Sequence, residues 1–357
     1  MVDFNASKKW VVFFPPEISE AKKAAGDLVR YIGLLASTPG TRGTGGDGNR
    51  PSLVESSAPV QPGAVIALNS EGKSPEHNGF SWRAGSERVE IYGESGRGLC
   101  NGIYSFLAAL GICWPAPGEE KLPEAGNAKL YPLSVDSANE PSRYKGNEPA
   151  LWRRFVPANK ETLKKILRKG EAFAAWAARR RYDAVVLPLA VFASANPERK
   201  LKELKKQCAE YGVALEAGGR DLSALVPRKY FLLHRDFFRM EGGKRNATHH
   251  FCPTSPGAIA VIGREGQKLL RAGTGVFHLW PDRGAETAWC SCPTCRAFTP
   301  AEQNRIAVNT AADVLAKINP GALITFYEKP DEGGSIPLRR NLLKLEKLPE
   351  EKDFRSQ

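Results

Sequence analysis

The first clear pattern in the chain is a continuous apolar run from Trp10 to Phe14, closed by Pro15 and Pro16 and followed by a segment of helical period. A run of that length bounded by breakers predicts a buried strand. Behind it Ala21, Ala24, Ala25, Leu28, Ile32 and Leu35 recur on one face, the stripe of an amphipathic helix. Residues 37–52 are rich in Gly, Pro, Ser and Thr without a period, and read as a flexible insert. No GK[ST] follows them, which argues against a phosphate loop. AVIALN and then FSWRAGSERVEIYGES predict further strands, with Val89 and Ile91 alternating onto one face. In the next segment Leu99, Ile103, Phe106, Leu107 and Leu110 line one helical face up to Gly111. The order strand, helix, strand, strand, helix predicts a small α+β domain over residues 1–136.

After a proline-rich joint the pattern changes. Apolar runs near 151–156, 182–190, 212–219, 275–282, 322–330 and 341–349 read as strands, and helical stripes near 161–180, 196–211, 256–271 and 301–318 fall between most of them. Continuous apolar strands alternating with helices predict a parallel sheet. No GxGxxG opens the first unit, so a dinucleotide-binding sheet is disfavoured and a TIM-barrel-like (β/α) domain over 137–357 is expected. Eight units are needed to close a barrel and only five or six strands are found, so the barrel is expected to be incomplete or completed from elsewhere, a second copy in a homo-oligomer included.

Strand ends make the selection of candidate chemistry, because functional side chains of parallel barrels come from the carboxyl ends of strands and the loops beyond. Glu216, Asp282 and Glu328 lie at such ends, and Glu286 is four residues into the loop after Asp282. Trp152, His278, Trp280 and Tyr327 fall in the same regions. Carboxylates beside aromatic rings suit a sugar: one acid protonates the leaving oxygen, another stabilises or attacks the anomeric carbon, and flat rings stack on the sugar. Each acid taken singly is more often an ordinary structural ion-pair partner. Cys290, Cys292 and Cys295 form C-x-C-x-x-C, whose thiolates can ligate one tetrahedral zinc if a fourth ligand arrives, from Cys252 or from His249 or His250. The competing readings are packed free thiols that brace the loop behind Asp282, and redox or nucleophilic chemistry. No cofactor beyond a structural zinc is expected.

Composition narrows the partners. The 357 residues are 42% hydrophobic and 25% charged, an ordinary globular balance that excludes general disorder. A net charge of +12 raises the possibility of nucleic acid, but the basic residues spread over the whole chain. The densest segment, 160–183, interleaves them with Leu, Ile, Phe, Ala and Trp at helical spacing, so it reads as a solvated helix face and nucleic acid is not expected. No run of about 18 apolar residues occurs, so no membrane partner is expected. The short apolar run before Pro15 is not a signal-peptide core, and seven cysteines, an odd number, favour reduced thiols or metal ligands; a cytoplasmic location is expected.

Two segments carry a resemblance. VVFFPPEISEAKKAAGDLVRYIG and VEIYGESGRGLCNGIYSFLAALGICWPAPGEEKLP resemble the small domain that precedes the catalytic barrel in β-hexosaminidases and α-glucuronidases. Arg97, Gly98, Gly102, Tyr104, Phe106, Leu107, Leu110, Gly111, Trp114, Pro117 and Gly118 fit that pattern. HFCPTSPG followed by PDRGAETAWCSCPTC is similar to the family known as domain of unknown function 4838, some of whose members are endo-acting β-N-acetylglucosaminidases. The likeness covers most of residues 10–330. It implies a two-domain glycoside-hydrolase-like protein acting on a carbohydrate, an N-acetylhexosaminide among the candidates, with Asp282 at the end of the fourth barrel strand. The related hexosaminidases use adjacent Asp and Glu there, the Glu protonating the leaving group while the Asp orients the N-acetyl group. Here Arg283 follows Asp282, which leaves Glu286 as the substitute acid and Glu216 and Glu328 as helpers. The competing expectations are a non-catalytic carbohydrate-binding protein that keeps Trp152, Trp280 and Tyr327 as a stacking platform, and a basic nucleic-acid-binding protein with a zinc element.

Overall fold

The computed structural model describes residues 2–3, 10–36, 52–55, 64–73, 78–123, 129–130, 133–136, 155–157, 160–193, 198–271, 274–284, 288–328, 334–345 and 348. The first apolar run is strand β1 (Trp10–Phe14), with Trp10, Val12 and Phe14 buried. The helical stripe behind it is α1 (Lys22–Ala36). Then come β2 (Ser52–Glu55), β3 (Ala64–Ser70), the hairpin β4 (Phe80–Ala84) and β5 (Arg88–Gly93), α2 (Gly96–Ala109) and β6 (Leu133–Asp136). They form a mixed six-stranded sheet in the order β2-β1-β3-β5-β4-β6, with α1 and α2 packed on it. The strands not anticipated from the sequence, β2 and β6, are the two edges. An edge strand is held by backbone bonds on one side only and needs no apolar alternation, so its sequence carries little pattern.

The stretch GESGRG, residues 93–98, is the turn into α2. Ser95 caps the helix, its hydroxyl accepting from the Gly98 amide at 3.1 Å. Gly98 is glycine because a Cβ there would stand 2.3 Å from the Gly79 carbonyl oxygen. After the helix, the Trp114 indole donates to the Tyr31 hydroxyl at 2.7 Å, and Tyr31 donates to Glu120 at 2.7 Å. Arg30 donates to the same carboxylate at 3.0 Å.

The second half contains β7 (Phe155–Pro157), α3 (Lys160–Lys169), α4 (Glu171–Arg179), β8 (Ala184–Leu187), α5 (Leu189–Ala193), α6 (Glu198–Glu210), β9 (Ala214–Gly219), α7 (Pro256–Leu269), β10 (Val276–Leu279), α8 (Pro300–Ile318), β11 (Leu323–Tyr327) and β12 (Leu342–Leu345). The single helix expected over 161–180 is broken at Gly170, whose φ of 43° no helix interior accommodates. Strands β7 to β12 pair in sequence order and every pair is parallel. A doubly wound sheet reverses its order part-way, whereas this one never does. With right-handed crossovers such a sheet carries its helices on one face. Val185, Leu187, Phe277, Leu279, Ile324 and Phe326 lie buried in the clusters formed with those helices. The opposite face holds a small cluster of Ala184, Val186, Trp280 and Leu345. Among the described residues the sheet has six strands and β7 is not paired with β12.

The two sheets share one hydrophobic cluster, in which Phe106 and Trp114 belong to the first half and Trp176 and Tyr182 to the second. A buried ion pair crosses the same boundary: Arg97 donates to Asp183 at 3.2 Å and to the Tyr182 carbonyl at 2.7 Å. Between β9 and α7 the chain makes three short 3-10 turns (Leu222–Leu225, Arg228–Leu232 and Arg235–Phe237) and a small hairpin that pairs Met240–Glu241 with Lys244–Arg245. Among the described residues no helix is long and apolar enough to cross a membrane.

Candidate functional site

Alternation along the second sheet sends Glu216 (β9), His278 (β10) and Thr325 (β11) to the face away from the helices, next to one another through the register that pairs His278 with Thr325 and Gly218 with His278. The His278 Nε2 lies 2.9 Å from the Glu216 carboxylate, and its Nδ1 lies 2.7 Å from the Thr325 hydroxyl. The Trp280 indole donates to that hydroxyl at 3.0 Å. One placement of hydrogens uses every donor: Trp280 N–H to Thr325 oxygen, Thr325 O–H to Nδ1, and Nε2–H to Glu216. The group is out of reach of solvent, with His278 and Thr325 0% exposed, Trp280 1% and Glu216 4%.

Close approach of backbones makes this possible. Gly218 has φ 119°, and a Cβ on it would stand 2.0 Å from the His278 carbonyl oxygen. Only glycine lets β9 and β10 meet at that point, which holds Glu216 and His278 in register.

Asp282 is three residues beyond β10. Its carboxylate accepts from the Ser223 hydroxyl at 2.8 Å and faces the Arg228 guanidinium at 3.8 Å. At 20% side-chain exposure it meets solvent. Burial lowers the pKa of Arg228, and the Asp282 charge works in the opposite direction. Ser223 and Arg228 carry no motif. Nothing short of the folded 222–232 segment brings them to Asp282.

Glu328 is elsewhere. It follows β11 on the helix side, where Arg305 of α8 forks onto both its oxygens at 2.6 and 2.7 Å and Lys344 of β12 adds a third bond at 2.8 Å. Burial resists its ionisation, but Arg305 and Lys344 outweigh burial and hold its pKa below the ordinary carboxylate value. Tyr327 is half-buried at the strand end, its carbonyl accepting from Asn304 at 2.7 Å. The Trp280 ring is packed inside, so it offers no face to a ligand. Trp152 and Glu286 lie outside the described residues. The structure thus brings Glu216, His278 and Trp280 together, sets Asp282 in the loop beyond them, and separates Glu328 from them.

The cysteines converge. Cys252, Cys290, Cys292 and Cys295 are all buried and their sulfurs all lie within 4.8 Å of one another, a group able to hold a metal ion. Hydrogen bonds from Cys290 and Cys295 hold the Cys252 thiol far below the usual thiol range, while its bonds to Cys252 and Cys290 push Cys295 far above it. Gln303, on the first turns of α8, fixes the loop: its amide oxygen accepts from the Cys290 amide at 3.0 Å, and its nitrogen donates to the carbonyls of Cys290, Cys295 and Phe298. His250 is not in the cysteine group and stacks on Trp289 at 4.2 Å. The sequence offered no sign of Gln303 or Thr325, since a lone polar residue in an apolar stripe has no distinctive spacing.

No protein-family model matches the chain, and no curated protein matches it significantly. The resemblance to domain of unknown function 4838 therefore rests on the quoted residues alone. Solved structures do match. The chitobiase of Flavobacterium johnsoniae aligns with a TM-score of 0.52 at 12% identity, over 96% of this chain and 52% of that one. A GH138 enzyme targeting pectin rhamnogalacturonan II aligns with a TM-score of 0.51 at 12% identity, over 94% of this chain and 38% of that one. The chain spans about half the length of the first and less of the second. At this identity the likeness is one of fold, and the fold is glycoside-hydrolase-like.

Proposed function

We propose that this chain acts on a glycan, with an N-acetylhexosaminide the first substrate to try, at the carboxyl ends of β9, β10 and β11. The observation that carries the reading is Asp282: a solvent-facing carboxylate just beyond a central parallel strand, gripped by Ser223 and Arg228, in a glycoside-hydrolase-like fold. Ligand chemistry in parallel α/β sheets gathers at that end of the strands.

Cleavage of a glycosidic bond needs a proton donor to the leaving oxygen and a group that opposes positive charge at the anomeric carbon. Asp282, with a hydroxyl donor and a guanidinium as neighbours, suits the second role, or the orientation of an N-acetyl group. Glu286, in the same loop, is the proposed proton donor. The Glu216–His278–Thr325 group is too deeply buried to touch a sugar and acts as a positioning layer under the loop. Glu328 is a structural partner of Arg305 and Lys344 and has no part in the reaction. The six sequential strands are read as part of a TIM-barrel-like domain. The rival reading, glycan binding without cleavage, draws support from the burial of Glu216 and Glu328, which leaves Asp282 as the accessible acid among the described candidates.

Hydrolysis of a panel of chromogenic glycosides, led by N-acetyl-β-glucosaminide, tests this against Asp282→Asn and Glu286→Gln proteins of unchanged thermal stability. The expected result is turnover by the wild type and a loss of about 100-fold or more in each variant. Turnover untouched in both overturns the assignment of the acids. No turnover on any substrate, with retained binding to a glycan array, replaces the enzyme by a carbohydrate-binding protein.

A further inference from the structure

The four-cysteine group has dimensions that free thiols do not require. A zinc ion bound to four sulfurs at about 2.3 Å in a tetrahedron puts the sulfurs about 3.8 Å apart. The Cys252 sulfur lies 3.8 Å from that of Cys292 and 3.6 Å from that of Cys295. A disulfide needs about 2.05 Å between sulfurs, and all four cysteines are free. The surroundings are also those of a metal–thiolate centre, in which hydrogen-bond donors point at the sulfurs. The Met240 amide donates to Cys290 sulfur at 3.2 Å, the Arg245 guanidinium reaches it at 3.8 Å, and the Thr254 hydroxyl is 3.0 Å from Cys295 sulfur. Four thiolates around one zinc ion make a centre of net charge −2, which Arg245 faces.

The ligands come from two stretches that are distant in the chain. Cys252 closes the 222–255 segment just before α7, its amide donating to the Phe237 carbonyl at 2.8 Å. Cys290, Cys292 and Cys295 lie in the connection from β10 to α8, which also carries Asp282. Smaller contacts run alongside: Ser291 donates to the Met240 carbonyl at 2.8 Å, and Arg239 to the Ala288 carbonyl at 3.4 Å. Arg228, which faces Asp282, belongs to the first stretch and also donates to the His249 carbonyl.

We propose that Cys252, Cys290, Cys292 and Cys295 bind one structural zinc ion, and that this ion staples the 222–255 segment to the 282–299 loop and so fixes Asp282 against Ser223 and Arg228. The metal takes no part in chemistry, since four thiolates fill its coordination sphere and leave no position for water. The proposal stands whether or not the chain cleaves a glycan.

The test is elemental analysis of the full chain purified under reducing conditions, with cobalt(II) exchanged for the metal and hydrogen exchange followed before and after removal by a mercurial and a chelator. The expected result is about one zinc per chain and a cobalt spectrum with tetrahedral d–d bands and strong thiolate charge transfer. On metal removal, peptides from 237–256 and 282–299 should lose protection together while 64–110 keeps its own. Cys252→His keeps a three-thiolate, one-imidazole site, and the charge-transfer intensity should fall by about a quarter. Zinc well below one per chain, both as isolated and after refolding with zinc, overturns the site, as does a cobalt spectrum of octahedral type. Stoichiometric zinc unaffected by Cys292→Ser also overturns it, because the ion is then held elsewhere. If Cys292→Ser fails to fold, the wild-type cobalt spectrum still decides. Bound zinc whose removal leaves 282–299 protected refutes the staple and keeps the site.

Discussion

Replacing His278 by Leu removes two hydrogen bonds from a place no water reaches, and its cost can be worked through. The side chains are close in volume, so the cavity term is small. The bond to Glu216 at 2.9 Å ends on a carboxyl group only 4% exposed, and loss of a partner by such a group costs about 1–3 kcal/mol. The bond to Thr325 at 2.7 Å joins neutral groups, and the hydroxyl keeps its bond from Trp280, so about 1 kcal/mol is added. The sum, about 2–4 kcal/mol, is measurable by chemical denaturation against the wild type. A double-mutant cycle isolates the central bond. Glu216→Leu takes the same bond away from the other end, so the double variant should cost less than the two singles together, by about 1–3 kcal/mol. Additivity within about 0.5 kcal/mol refutes the reasoning, because it means that Glu216 and His278 do not support one another in the folded protein.

Glycine substitutions give a matched pair. Gly218→Ala forces a Cβ into the His278 carbonyl at φ 119° and should lose about 3 kcal/mol or more, seen as a fall in thermal midpoint. Gly263→Ala, in α7 with nothing within 4 Å of the added carbon, should gain about 0.5–1 kcal/mol; equal effects of the two contradict the close approach of β9 and β10. Glu120 gives a pH dependence. Its hydrogen bond from Arg30, against burial and helped by Tyr31, holds its pKa down to about 2. A depressed folded-state pKa stabilises the protein above the unfolded-state value of about 4.3, and that contribution disappears as the pH falls towards 2. Glu120→Gln should therefore flatten the acid limb of a denaturation series between those values, and an unchanged limb places the acid sensitivity elsewhere.

Much of the architecture was legible from the pattern of apolar residues. Each of the six strands of the second sheet overlaps a run expected from the sequence, and the central ones stand as largely apolar runs between helical stripes, because a strand covered on both faces is mostly apolar on both. The resemblance in the quoted segments pointed to the glycoside-hydrolase-like fold that the solved structures share. The sequence also singled out Cys290, Cys292 and Cys295, since a close C-x-C-x-x-C set restricts itself to few uses, and left the fourth ligand open between Cys252, His249 and His250.

What the sequence could not decide was direction and depth. Glu216 and Glu328 both sit at or near the ends of predicted strands, yet one faces His278 across the inner face while the other is held on the helix side by Arg305 and Lys344. In a strand the side-chain period is two, so an uncertainty of one residue in register reverses the face, and apolar runs with no alternation fix no register. Trp280 was legible as a large ring at a strand end, but its burial depends on Ala184, Val186 and Leu345 from strands far away in the chain. Cys252 needed the fold to meet the other three thiols, and Ser223 and Arg228 needed it to reach Asp282. Local composition determines which elements form, because backbone and hydrophobic patterning act over a few residues. Only the packed chain determines which acid meets solvent, which is neutralised by a cation, and which sulfurs share a centre.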